Sequence, residues 1–156
     1  MHIVTISMPP LEVENIPKDL QRALRNSGWD FLKRAKSILE KKEQRVRTEE
    51  TDVVAITPYL LGFQKKTSYE EVQFKAANAG YANFAEEYVL DFCCQEIVWK
   101  KYDGFFLGTK PAEDHQGFDA IFRIENISPD KKYLTTLRTY RKNAIGLHDI
   151  FFFEKK

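Results

Sequence analysis

Two stretches of this chain carry side chains suited to contact with phosphate. The first runs from Lys33 to Arg47 and includes Lys33, Arg34, Lys36, Lys41, Lys42 and Arg45. Cations on one surface neutralise backbone phosphates, and the resulting affinity falls with salt. The interleaved Glu40 and Glu43 fit an ordinary solvated helix face equally well, because charged side chains normally stand in water. The second stretch is Arg138, Tyr140, Arg141 and Lys142. An aromatic ring among cations can stack on a base while its neighbours hold the backbone. The candidate nucleic-acid contacts are therefore Lys33, Lys41, Arg45, Arg138, Arg141 and Lys142. Cys93 and Cys94 are adjacent and read as small core residues, since a metal or redox role calls for C-x-x-C spacing or nearby His partners. His2 and His115 are isolated. There is no Gly-rich phosphate loop, nucleophile elbow or zinc spacing.

A third arrangement is acidic. The run Gly117-Phe118-Asp119-Ala120-Ile121-Phe122-Arg123 resembles the GFDxI-type strand of PD-(D/E)XK nucleases. In that family a helix bearing a Glu precedes this strand, and Asn83–Tyr88 with Glu86 and Glu87 stands in that place. The family also has a strand ending in (D/E)-x-K, and the chain closes on Glu154-Lys155-Lys156. The resemblance implies that Asp119 and Glu154 bind Mg²⁺ through oxygen, with Glu87 as an accessory acid and Lys156 orienting the attacking water. A hard divalent cation prefers such oxygen ligands, and it would stabilise charge on a transferring phosphoryl group. In the family the (D/E)-x-K strand directly follows the Asp strand. Here that position is Tyr133–Arg138, which contains no acid. Arg141-x6-His148 is similar to a pattern of HEPN ribonucleases, which present it from a helical bundle. Gly146 and a β-like run replace that helical setting here, so His148 reads as a surface side chain beside a turn.

Composition bounds what can position these residues. A chain of 156 residues suits one domain, 1–156. At this length about two-thirds of the unfolded surface is buried, so no staple is needed for folding. The hydrophobic fraction of 43% and charged fraction of 30% indicate a folded chain. The opening MHIVTISMPP does not read as a signal peptide. No apolar run is long enough for a membrane span. The expectation is a soluble, cytoplasmic protein with reduced cysteines and no membrane partner. Charge divides along the chain. Residues 1–48 hold ten Lys/Arg against six Asp/Glu, residues 49–98 three against nine, and residues 99–156 eleven against eight. Such asymmetry steers a charged partner but says little about fold.

The apolar pattern supplies the expected elements. Residues 2–7 read as a strand, closed by Pro9 and Pro10. Pro17 suits a first helical turn, and Ser27 with Asp30 reads as a helix restart carrying an apolar stripe from Phe31 to Val46. Residues 53–63 read either as a buried strand or as a short helix ending at Gly62. Ser68 and Glu71 form a capping box, opening a helix that could run to Trp99, with Ala77, Tyr81, Phe84, Tyr88 and Phe92 as its core stripe. From residue 105 the period becomes two, and Ser128-Pro129-Asp130 marks a turn. The expected fold is α+β: residues 1–99 mainly helical, one long central helix, and an antiparallel sheet of about four strands over 105–154.

The functional expectation is a non-catalytic binding protein of inhibitor, immunity or assembly-factor type. It would act through charged surfaces on a protein or nucleic-acid partner, and no cofactor is required. The alternative is a metal-dependent nuclease-like domain using Asp119 and Glu154, with Mg²⁺. A second alternative is a small-ligand pocket between the long helix and the sheet, walled by Tyr81, Tyr88 and Trp99.

Overall fold

Phe151, Phe152 and Phe153 are consecutive and all buried, each exposing 1% or less of its surface. Successive strand residues point to opposite faces, so such a run needs apolar cover on both sides of the sheet. The computed structural model, which describes residues 2–12 and 19–156, provides it.

In chain order the described elements are β1 (Val4–Met8), α1 (Leu20–Asn26), β2 (Trp29–Phe31), α2 (Lys33–Leu39), β3 (Thr51–Ile56), α3 (Tyr69–Asn78) and β4 (Tyr81–Ala82). There follow α4 (Val89–Cys94), α5 (Glu96–Trp99), β5 (Gly104–Leu107), β6 (Ala112–Glu113), β7 (Asp119–Ser128), β8 (Lys131–Arg138) and β9 (Phe151–Lys155). Single 3₁₀ turns lie at Tyr59–Leu61 and Glu86–Tyr88. The strands form one sheet in the order β1-β3-β9-β5-β7-β8-β2, with β4 added to β9 and β6 to β7. β5 runs parallel to β9 and β2 parallel to β8; the other pairs are antiparallel.

One face carries Ala55, Phe105, Leu107, Phe122, Ile124, Leu134 and Phe152 against α1, α2, α4 and α5. The other carries Val54, Ile56, Phe106, Ile121, Phe151 and Phe153 against α3. The first core is aromatic. Phe92 meets Phe84, Phe105 and Phe152 at centroid distances of 5.1, 6.2 and 5.2 Å, and Trp29 packs edge-on to Trp99 at 5.5 Å. Rings at these distances favour edge-to-face arrangements.

The observed sheet corrects the expected architecture. It is mixed and nine-stranded among the described residues, and β1, β2, β3 and β4 all come from the part expected to be mainly helical. β1 alternates and is the strand expected there, but β2 and β4 are short and β3 is apolar on both faces, so these three lack the clean alternation of a half-exposed strand. The single long helix is also absent. Ser68 does cap α3, its hydroxyl accepting from the Glu71 N–H at 3.3 Å. The Glu71 carboxylate, however, accepts from the Thr67 hydroxyl. Ala79 ends the helix and Gly80 follows at φ +94°, a conformation that L side chains rarely adopt. The aromatic stripe is consequently shared among β4, the 3₁₀ turn, α4 and α5, where Phe84, Phe92 and Trp99 remain core residues. Of the residues expected to wall a small-ligand pocket, Trp99 is fully buried and Tyr81 and Tyr88 are half-buried.

Other boundaries shift too. Ser27 closes α1, its hydroxyl bonding the Ala23 and Leu24 carbonyls, while Asp30 lies exposed in β2. Residues 53–63 realise both readings in turn: the strand β3, then the 3₁₀ turn ended by Gly62. The strand expected over 2–7 is β1, and the β7–β8 hairpin turns after Ser128. Pro17 lies outside the described residues. No helix among the described residues is long and apolar enough to cross a membrane.

Candidate nucleic-acid interface

The acidic arrangement is separated by the sheet itself. Glu154 is two residues from Phe152 and shares its face; Asp119 is two residues from Ile121 and shares the opposite one. Strand alternation therefore points the two carboxylates away from each other. Glu154 is also engaged. Its oxygens accept from Arg47 Nη1 at 3.1 Å and from the Ala85 N–H at 2.8 Å, and Arg47 Nη2 lies 3.1 Å away. The Arg47 guanidinium stacks over Tyr88 at 4.2 Å, and its backbone N–H reaches Asp91, a fully buried carboxyl. Burial raises the Asp91 pKa, against the lowering effect of Arg47.

Lys156 caps α3: its Nζ donates to the Ala77 carbonyl at 3.2 Å, where the negative end of the helix favours a cation. Glu87 contributes a carbonyl to the Arg45 N–H. Asp119 is exposed and registers opposite Glu113. Among the described residues, no group of three or more His, Cys, Asp or Glu side chains is placed to hold a metal ion.

The basic residues behave differently. They do not share one long helix, because α2 ends at Leu39 and residues 41–47 run on in irregular backbone. Arg45 lies beside the Glu86–Tyr88 turn, and the Lys41 Nζ donates to the Glu113 carbonyl at 2.6 Å. Lys33 and Arg34, at the start of α2, instead adjoin the second basic stretch. Two surface hollows of about 440 and 190 Å³ meet at Arg34. The first is lined by Leu32, Lys33, His115 and Gln116, the second by Thr136, Arg138, Tyr140 and Arg141.

A short hairpin lines the first of them through His115 and Gln116. β6 turns into β7 through Asp114–Phe118. Asp114 Oδ1 accepts from the N–H groups of Gln116 at 2.9 Å and Phe118 at 3.2 Å, an Asx-type turn. Its Oδ2 accepts from Arg138 Nε at 2.9 Å, and Gln116 accepts from Arg138 Nη2. Burial raises the Asp114 pKa, but the Arg138 hydrogen bond and the two N–H groups outweigh it and lower the pKa to about 2. The His115 N–H donates to Ser37 Oγ at 3.0 Å, tying the hairpin to α2. Thus anchored, Arg138 lies 4.2 Å over the Phe118 ring, and Phe118 meets Tyr140 at 5.7 Å.

Phe118 exposes 44% of its surface, Tyr140 60% and Leu32 41%. Exposed rings and cations therefore share one surface. No acidic residue lines either hollow, whereas a larger cleft, of about 730 Å³ beside α1, includes Glu96 and Asp130. Of the six expected contacts, the structure joins Lys33, Arg138 and Arg141, and Lys142 follows in the same exposed loop. Sequence reasoning missed Arg34 as a link, and Phe118 and Gln116 altogether. Phe118 figured in the sequence only within the Gly117–Arg123 run and its alternating pattern, with no sign that its ring would stay exposed.

Compared with known proteins, the chain matches no family model, no curated protein and no solved structure.

Proposed function

We propose that this protein is a non-catalytic binding domain for single-stranded nucleic acid. The supporting observation is the pair of adjoining hollows, lined by no acidic residue, that bring Lys33, Arg34, Tyr140 and Arg141 together, with the exposed ring of Phe118 against Tyr140. Cations track a phosphate backbone, and rings stack on unpaired bases regardless of sequence. Arg138 contributes differently. Its charge is matched by Asp114, so its role is to hold Phe118 and the hairpin in place. Unpaired bases suit this surface because stacked duplex bases do not offer their faces to exposed rings.

The test is fluorescence anisotropy with labelled single-stranded and duplex oligonucleotides over a salt series. Single strands should bind more tightly. The Arg34→Ala/Arg141→Ala double variant should weaken binding and reduce the salt slope by about two counterions. Binding that is indifferent to salt, or absent for every strand, would refute the proposal.

A further inference from the structure

The outer edge of β8 is open where the proposed interface lies. β2 pairs with β8 only over Lys132–Leu134, and the last ladder bond runs from the Leu32 N–H to the Leu134 carbonyl at 3.0 Å. The next would join the Thr136 N–H to the Leu32 carbonyl. That carbonyl instead accepts from the Lys36 N–H at 2.9 Å, because the chain has entered α2. The start of the helix thus removes the partner that would have closed the edge.

Strand alternation sets which groups remain. Lys132 and Leu134 bond toward β2, while Thr139 bonds toward β7 through its N–H to the Asp119 carbonyl. Residues of the same parity face the same side, so Thr136 turns both its N–H and its C=O to the open edge. Among the described residues neither has a hydrogen-bond partner. The Thr136 hydroxyl is shielded from solvent and also lacks one. Buried polar groups are normally satisfied, and an exception calls for an explanation. Thr136 lines the smaller hollow together with Arg34, Tyr140 and Arg141.

We infer that this hollow reads a nucleobase, with the Watson–Crick edge of one unpaired base bonding to Thr136 while its face stacks on Tyr140. A flat ring bearing adjacent donor and acceptor atoms complements an adjacent N–H and C=O, and the flanking cations meet its phosphates. This inference rests on the proposed nucleic-acid reading and adds base-edge recognition to it.

The experiment compares short oligomers of thymidine and of deoxyadenosine with their neutral methylated counterparts, N3-methylthymidine and N6,N6-dimethyladenosine. Methylation removes the edge donor and leaves phosphates and ring in place. At least one pair should differ in affinity by about tenfold. Thr136→Val keeps the edge N–H and C=O and should bind and discriminate like the native chain. Thr136→Pro, which removes the N–H where an edge strand tolerates proline, should still unfold cooperatively but lose affinity for the preferred strand several-fold and become less sensitive to methylation. If both methylated strands bind within about twofold of their parents and a folded Thr136→Pro binds normally, the inference is overturned while the binding proposal stands. If no oligonucleotide binds, both fall. Binding of an extended acidic peptide in their place would identify the β8 edge as a strand-addition site and also overturn the inference.

Discussion

Arg47 and Glu154 lie 107 residues apart and form a two-pronged ion pair between an irregular segment and the central strand β9. Arg47 exposes 9% of its side chain and Glu154 17%, so the pair is shielded from water. Removing one partner of such a pair leaves the other charge poorly solvated, which destabilises by about 3 kcal/mol. Arg47→Ala should lose stability on that scale in urea unfolding, with its stacking on Tyr88 lost as well. Glu154→Gln should lose less, because its amide oxygen can still accept from the Ala85 N–H. Equal, small losses in both variants would contradict this account.

Asp114 has a folded-state pKa of about 2, below the ordinary carboxylate range. Between about pH 4 and 2 the unfolded chain binds a proton that the folded chain does not, so acid erodes stability in this window. Above it the contribution is fully present. Asp114→Asn should be less stable than the native chain at neutral pH. The difference should narrow as pH falls through the window, read by thermal unfolding at stepped pH. A constant gap down to pH 2 would argue against the Asp114–Arg138 bond as its source.

Gly28 and Gly80 both hold positive φ, +102° and +94°, but differ in surroundings. A Cβ on Gly28 would come within 2.2 Å of the Asp130 carbonyl oxygen, whereas one on Gly80 would meet nothing within 4 Å. Gly80→Ala should therefore cost only the backbone strain, about 1 kcal/mol. Gly28→Ala adds a clash that must separate the turn before β2 from the β7–β8 turn, and should cost at least about 2 kcal/mol more. Chemical denaturation distinguishes them, and matching losses would show that the contact at Asp130 yields freely.

Tyr140 and Arg141 are neighbours in one loop with different expected roles. Tyr140→Ala should weaken single-strand binding by about 1–3 kcal/mol and leave the salt slope unchanged, since stacking displaces no counterion. Arg141→Ala should lower the slope by about one. Anisotropy titrations at several salt concentrations separate the two, and a slope change in Tyr140→Ala would place the ring's role elsewhere.

The legible parts of the chain were those specified by neighbours in sequence. The Ser68 cap, the alternation through Phe122 and Ile124, and the turn after Ser128 each involve residues a few positions apart, and the structure contains them. Helix termination at Gly80 was less readable, because a glycine weakens a helix without deciding whether the chain leaves it. β2 was hidden by its length of three residues and by its dependence on β8, a partner a hundred positions away.

The same division applies to the proposed interface. By itself the sequence determined that basic residues cluster at 33–34 and 138–142, and that Tyr140 lies among cations. Only tertiary structure decided that these clusters meet, that Asp114 anchors Arg138 over Phe118, and that Glu154 faces Arg47 while Asp119 faces the other way. The physical reason is that residue types and spacing act locally, whereas the face and edge a side chain occupies depend on strand order and register. Those are set when distant apolar strands such as β3 and β9 bury each other.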